Sequence, residues 1–304
     1  MSDSKQPVNR KYGDYRCIAL LDSASDSALY HALHVKTGKI HTLRTISLRR
    51  DKENRLEQTR DSILSEVESV KNITNPAIIP IVDYGIDGQV VYMVMPLMRG
   101  NSLHNRLQSR NITAQNTEGL PSLGQISELV ARIADALQTI HDAKYVHGQV
   151  EPRAILFDEA GLPYLADVGL IRLHKIIFHL DNTNSFSVTR YSAPELWEGD
   201  KPVPPSDQYA LACIAYELIT GRAPFESETL FGLMKSHVND AVMPPNYIRR
   251  DLQLPTELAM VFWQALAKPI DRRYTHIREF ANAFARVTRG SEGVSSDFFT
   301  FPLP

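Results

Sequence analysis

Few residues in this chain stand at spacings that could do chemistry by themselves. His174 and His179 lie close in sequence, and paired imidazoles invite a metal ion. An i,i+5 spacing does not put them on one helical face, and no third ligand is in view. Solvated or packed loop histidines are the expectation there. Cys17 and Cys213 are the only two cysteines, far apart and without CxxC spacing. That argues against a disulfide framework or a zinc site, and fits a reducing compartment.

Composition bounds the rest. Of 304 residues, 43% are hydrophobic and 22% charged, the balance of a globular chain rather than a disordered one. The formal net charge of -2 gives no electrostatic reason to expect nucleic acid or an acidic membrane surface as a partner. No run approaches the roughly 18 apolar residues of a membrane span. The stretch Met1 to Tyr12 lacks the apolar core of a signal peptide. A cytoplasmic protein with no membrane segment is expected.

The elements that must position any site change character along the chain. Tyr15–Leu21, Ala28–His34 and Lys39–Ser47 read as strands, with Thr37-Gly38 turning between the last two. Ala77–Tyr84 and Gln89–Leu97 read as a further hairpin around Ile86-Asp87-Gly88. One charged helix, about Lys52–Asn72, carries Ile63, Val67 and Val70 on a single stripe. From about residue 100 helices take over. Ile126, Leu129, Val130, Ile133, Leu137 and Ile140 share a face, and Asp207–Thr220, Leu230–Val238, Pro255–Ala267 and His276–Val287 show helical spacing. A short strand pair, Ala154–Phe157 and Tyr164–Val168, interrupts them. Ser109–Gly124 reads as an inserted loop, and Gly290–Pro304 as a tail whose Phe298, Phe299 and Phe301 pack either on this domain or on a partner. The expected class is α+β, a small lobe with an antiparallel sheet and one main helix before a larger helical lobe. Ligands would sit in the cleft between them.

Several strings, in order, resemble the protein kinase family, in particular the bacterial Ser/Thr kinases of eukaryotic-like type. Tyr145-Val146-His147-Gly148-Gln149-Val150-Glu151-Pro152-Arg153-Ala154-Ile155-Leu156 looks like the catalytic loop. Asp167-Val168-Gly169 stands where the metal-binding Asp-Phe-Gly would be, and Ala193-Pro194-Glu195 resembles the end of the activation segment. Asp207-Gln208-Tyr209-Ala210-Leu211, then Thr220-Gly221-Arg222-Ala223-Pro224-Phe225, looks like the central helix of the large lobe and its exit. The resemblance runs from about Tyr15 to Val287. It implies a two-lobed fold: a flexible start over 1–14, a small lobe over 15–98, a large lobe over 99–288 and a tail over 289–304.

The same resemblance implies that the chemistry is gone. Gln149 replaces the catalytic aspartate, and an amide cannot act as a base, a loss that typically costs about 10²–10⁴-fold. Glu151 replaces the cation that steadies the transferred phosphate. Ala154 replaces a metal-binding asparagine and carries no ligand atom. The phosphate loop, Leu21-Asp22-Ser23-Ala24-Ser25-Asp26-Ser27-Ala28, has no glycine and adds two carboxylates. Arg44 stands for the phosphate-positioning lysine, with Glu66 its expected partner, and is not an equivalent anchor. Thr42 replaces a small residue over the adenine. Gly148 removes the arginine that reads a loop phosphate, and Val188 a threonine that bonds the catalytic loop. Phosphorylation of Ser185, Ser187 or Thr189 would therefore not activate the chain. Glu66, His147, Asp167, Gly169, Asp207 and a Glu195–Arg272 pair keep the architecture, with Asp167 the one retained metal ligand.

The expectation is a pseudokinase, a scaffold or allosteric regulator that binds another protein without efficient phosphoryl transfer. One alternative is a nucleotide or nucleoside sensor, taking a flat ring at the Pro96 carbonyl and the Met98 amide. A divergent, weakly active Ser/Thr kinase-like transferase, with one metal on Asp167, is the other. No cofactor is expected beyond weak ATP or magnesium. Many bacterial members continue into a membrane helix; this sequence does not, so membrane contact would come through a partner.

Overall fold

The computed structural model of the protein describes residues 9–48, 56–112, 117, 119–178, 187–289 and 298–299. In chain order the elements begin with β1 (Lys11–Tyr12), β2 (Tyr15–Ser23), β3 (Ser27–His34), β4 (Ile40–Ser47), α1 (Leu56–Lys71), β5 (Asp83–Asp87) and β6 (Val90–Pro96). There follow α2 (Leu103–Ser109), α3 (Leu123–Asp142), β7 (Ile155–Phe157), β8 (Pro163–Leu165), α4 (Leu170–Phe178) and α5 (Pro194–Trp197). The rest are α6 (Pro204–Thr220), α7 (Leu230–Asn239), α8 (Pro245–Ile248), α9 (Glu257–Ala265) and α10 (Ile277–Thr288). They fall into two compact units.

The first unit holds an antiparallel sheet in the order β1-β2-β3-β4-β6-β5. Alternation places its core. On β3, Ala28, Tyr30 and Ala32 are buried while the residues between them are half-buried, as a period of two requires. Tyr12, Cys17, Tyr30, Leu43 and Val94 form one cluster. A second cluster joins Ile46, Val91 and Met93 of the sheet to Ile63 and Val67 of α1 and to Leu173 and Ile177 of α4. That helix was not foreseen. It follows Asp167-Val168-Gly169 in the chain, yet its apolar stripe belongs to the core of the first unit.

The strand expected over Ala77–Tyr84 is shorter, starting only at Asp83. Pro76 and Pro80 have no N–H to give a ladder, and the Asn75 side chain takes the Ala77 amide at 2.8 Å. Residues 75–78 belong to the second unit, where Ile78 bridges Leu165.

The second unit is helical apart from the β7–β8 hairpin. A capping box between Ser122 and Gln125 starts α3. Helix α6 is buried along nearly its whole length and ends at Gly221, whose φ of 78° allows the left-handed cap. The insert expected over Ser109–Gly124 is cut into by helices at both ends, since α2 runs to Ser109 and α3 begins at Leu123.

Candidate functional site

The loop after α3 is held from below by Asp207, in the first turn of α6 and 1% exposed. Its Oδ2 accepts the His147 amide at 2.9 Å and meets His141 Nε2 at 2.8 Å, while Oδ1 accepts the Gly148 amide at 2.7 Å. Buried His147 donates from Nε2 to the Ala166 carbonyl at 2.9 Å, which leaves Nδ1 to accept the Gln149 amide at 3.3 Å. So the loop is pinned at His147, Gly148 and Gln149. The residues that pin it are the architectural ones of the sequence reading, with His141 added.

The chemistry-bearing positions sit on this pinned frame. Ala154 is buried and uses its backbone, its carbonyl accepting the Ala166 amide at 2.9 Å. Its side chain ends in a methyl group. Glu151 is half-buried, and burial pushes its carboxyl above the usual range. Asp167 raises it further, against the opposing pull of Arg153 and His147. Two carboxylates therefore share this corner. Asp167 itself adopts a positive φ of 62° and Gly169 one of 79°.

In the first unit the glycine-free turn is closed on itself. The Ser23 amide donates to Asp22 Oδ1 at 2.8 Å, and the Ala24 amide to the Ser27 carbonyl at 2.8 Å. Two amides that a phosphate-cradling loop would aim outward are thus already used. Arg44 lies on β4 opposite Leu29 and Met93. Thr42 is half-buried. Pro96 ends β6 opposite His41, and Met98 follows it, half-buried.

Two expected pairings are corrected. Glu66, 7% exposed, pairs with Arg172 of α4 at 3.2 Å rather than with Arg44. The cause is α4 itself: Leu173 and Ile177 seat it beside Ile63 and Val67, which carries Arg172 to the carboxylate. Glu195 pairs with Arg273, not Arg272. Arg273 is buried and gives two bonds at 2.9 and 2.8 Å, whereas Arg272 ends a 3-10 turn and is exposed. Burial would raise the Glu195 carboxyl, but Arg273 and the Ser206 hydroxyl hold it below the usual range. Composition gave no means of choosing between adjacent arginines.

The tail question is resolved for two of its three aromatics. Phe298 is fully buried, its carbonyl accepts Arg106 Nη1 at 2.6 Å, and Arg110 covers its ring at 4.8 Å. Phe299 stacks on Phe157 at 5.4 Å. Both pack on their own unit; Phe301, Ser185 and His179 lie outside the described residues. His174 sits on α4 near Phe178, and among the described residues no group of three His, Cys, Asp or Glu could hold a metal ion. No helix there is long and apolar enough to cross a membrane.

A family model described as the protein kinase domain matches residues 19–282. The chain is 28% identical over 284 residues to the Mycobacterium tuberculosis serine/threonine-protein kinase PknD, covering 93% of this chain and 41% of that protein. It is also 28% identical over 266 residues to the Deinococcus radiodurans DNA damage-responsive serine/threonine-protein kinase RqkA, covering 86% and 37%. It thus spans about two fifths of the length of these relatives. Among solved structures, the PknI kinase domain of M. tuberculosis superposes with a TM-score of 0.66 at 22% identity, over 92% of this chain and 98% of that one. The small antiparallel sheet unit and the larger helical unit are those of the two-lobed kinase fold.

Proposed function

The chain belongs to the protein kinase family, and from that premise we propose that it is a pseudokinase, acting on another protein by binding rather than by phosphoryl transfer. One observation carries the reading. The catalytic loop is pinned over His147 to Gln149 by Asp207 and His147, yet the positions on it that would do chemistry hold Gln149, Glu151 and Ala154. A frame kept while its reactive groups are replaced is a frame kept for its shape.

Phosphoryl transfer is positioning plus neutralisation of charge. An amide at Gln149 takes no proton. The Glu151 and Asp167 carboxylates lie together where a cation would stabilise phosphate, so a polyanion meets repulsion. Ala154 offers no metal ligand, the turn at 22–27 spends its amides internally, and Glu66 is held by Arg172. These residues do not fit a magnesium nucleotide.

The relatives' names make the opposing reading concrete, because they are called serine/threonine-protein kinases. The deciding assay is transfer of labelled γ-phosphate to casein and to the chain itself, with magnesium and with manganese. No incorporation is expected from the natural chain, nor from Gln149→Asp alone, since a restored base leaves Glu151 and Ala154 in place. Metal-dependent incorporation that vanishes in Asp167→Ala would overturn the proposal.

A further inference from the structure

Among the described residues, Arg106 of α2 is a charge buried to 7% exposure that forms no ion pair. Its Nε donates to the Gly100 carbonyl at 2.9 Å and its Nη1 to the Phe298 carbonyl at 2.6 Å, while its Nη2 is buried without an acceptor. Both acceptors are neutral. The acid that acts on it, Asp158, is spent on the β7–β8 turn, where its oxygens accept the Leu162 amide at 2.9 Å and the Tyr164 hydroxyl at 3.2 Å. Glu159, next in the chain, pairs with Arg99 at 3.1 Å. Burial accordingly lowers the Arg106 pKa to about 10, and Arg110 adds to the effect. A buried cation without a carboxylate is costly, and so is a buried N–H without an acceptor.

The slot around this guanidinium holds aromatic rings. Arg106 lies 4.1 Å from the centre of the Phe157 ring, and Arg110 4.8 Å from that of Phe298. Phe298 and Phe299 meet edge to face at 5.1 Å, and Phe299 stacks on Phe157 at 5.4 Å. Two adjacent aromatic side chains therefore fill the slot, and the guanidinium faces suit them. The tail brings the rings but no acceptor for Nη2.

We propose that this slot is a docking site for a segment of a partner protein that carries two adjacent aromatic residues beside an acidic one, and that the chain's own tail fills it in the partner's absence. The tail shows which rings the slot accepts. The orphaned Nη2 shows what a better occupant adds: a carboxylate oxygen, making a charge-assisted bond in a site shielded from water. Exchange is local, because Phe298 and Phe299 belong to no helix or strand of the unit they cover. This deepens the protein-binding reading above and rests on it for the nature of the partner.

The test uses the whole chain and three fluorescein-labelled twelve-residue peptides in a Gly-Ser background, centred on Glu-Phe-Phe-Glu, Gln-Phe-Phe-Gln and Glu-Ala-Ala-Glu. Fluorescence polarisation should show the first binding at least about tenfold more tightly than the second, and the third not binding. Phe298→Ala removes the competing ring and should tighten binding of the first peptide further. The three-peptide comparison on the natural chain needs no variant, so it decides the matter even where Phe298→Ala fails to fold. Arg106→Gln should erase the preference for glutamate over glutamine. Equal binding of the first two peptides, binding of the third, or no binding of the first to either chain would each overturn the proposal. So would a natural dimer that the first peptide converts to monomer, since the occupant would then be the tail of a second copy. No slot residue is Gln149, Glu151 or Ala154. Phosphoryl transfer in the assay above would therefore remove the pseudokinase reading and leave the peptide result standing, and a failed peptide result without transfer would do the reverse.

Discussion

Gly169 has a φ of 79°, and a methyl group on its α-carbon would collide with Cγ2 of Val70 on α1. Both facts demand glycine, one through backbone strain and one through lack of room. Gly169→Ala should cost about 2–4 kcal/mol, read by urea unfolding. Adding Val70→Ala should recover the steric part and leave the conformational part. If the double variant is no more stable than the single one, the contact with α1 is not the cause. At this scale the side-chain identities were legible. That Gln149, Glu151 and Ala154 lack a base, a cation and a ligand is a property of which atoms are present, and no packing can add them. Arg172 was not legible as the partner of Glu66, because nothing local says where the helix that carries it will rest.

Elements are tied together by buried polar contacts whose partners are distant in sequence. Arg273 and Glu195 are 78 positions apart, and the pair is buried on both sides. Removing one member of a buried pair strands the other charge, so Arg273→Ala should cost about 3–5 kcal/mol. Arg272→Ala, one residue earlier and exposed, should stay within about 0.5 kcal/mol. Equal effects of the two would return the pairing to the expected arginine.

His237 of α7 makes a pH-dependent contribution. It is fully buried among Trp197, Tyr209 and Phe225, and burial, followed by Lys268, lowers its pKa from 6.5 to about 3. Between those values the unfolded chain binds a proton that the folded one refuses. Stability is therefore full above pH 6.5 and falls as pH drops towards 3, by up to about 1.4 kcal/mol per pH unit from this group. His237→Gln should flatten that limb of the stability curve measured by denaturant titration at each pH. A slope as steep as in the natural chain would assign acid sensitivity to other groups. The longer helices at this scale followed from periodicity, but α2, α4, α5 and α8 did not. The nine residues of α4 come straight after a special-backbone segment, and their apolar stripe has meaning only against α1.

Over the whole molecule, the chain returns at its end to seal the helical unit. Phe298 is fully buried against Arg106 and Arg110, with Phe299 on Phe157. Phe298→Ala should cost about 3–5 kcal/mol, the range for emptying a buried aromatic site. A melting temperature within a degree of the natural chain's would mean that this contact contributes nothing in solution. The sequence by itself determined the types of the longer elements, through the period of their apolar residues, and which side chains the loop carries. Both are local properties, readable wherever the chain goes. Tertiary structure decided which arginine meets Glu66 and Glu195, and that Phe298 turns inward. Those outcomes depend on distances of a few ångströms between residues tens to hundreds of positions apart, and only packing sets such distances.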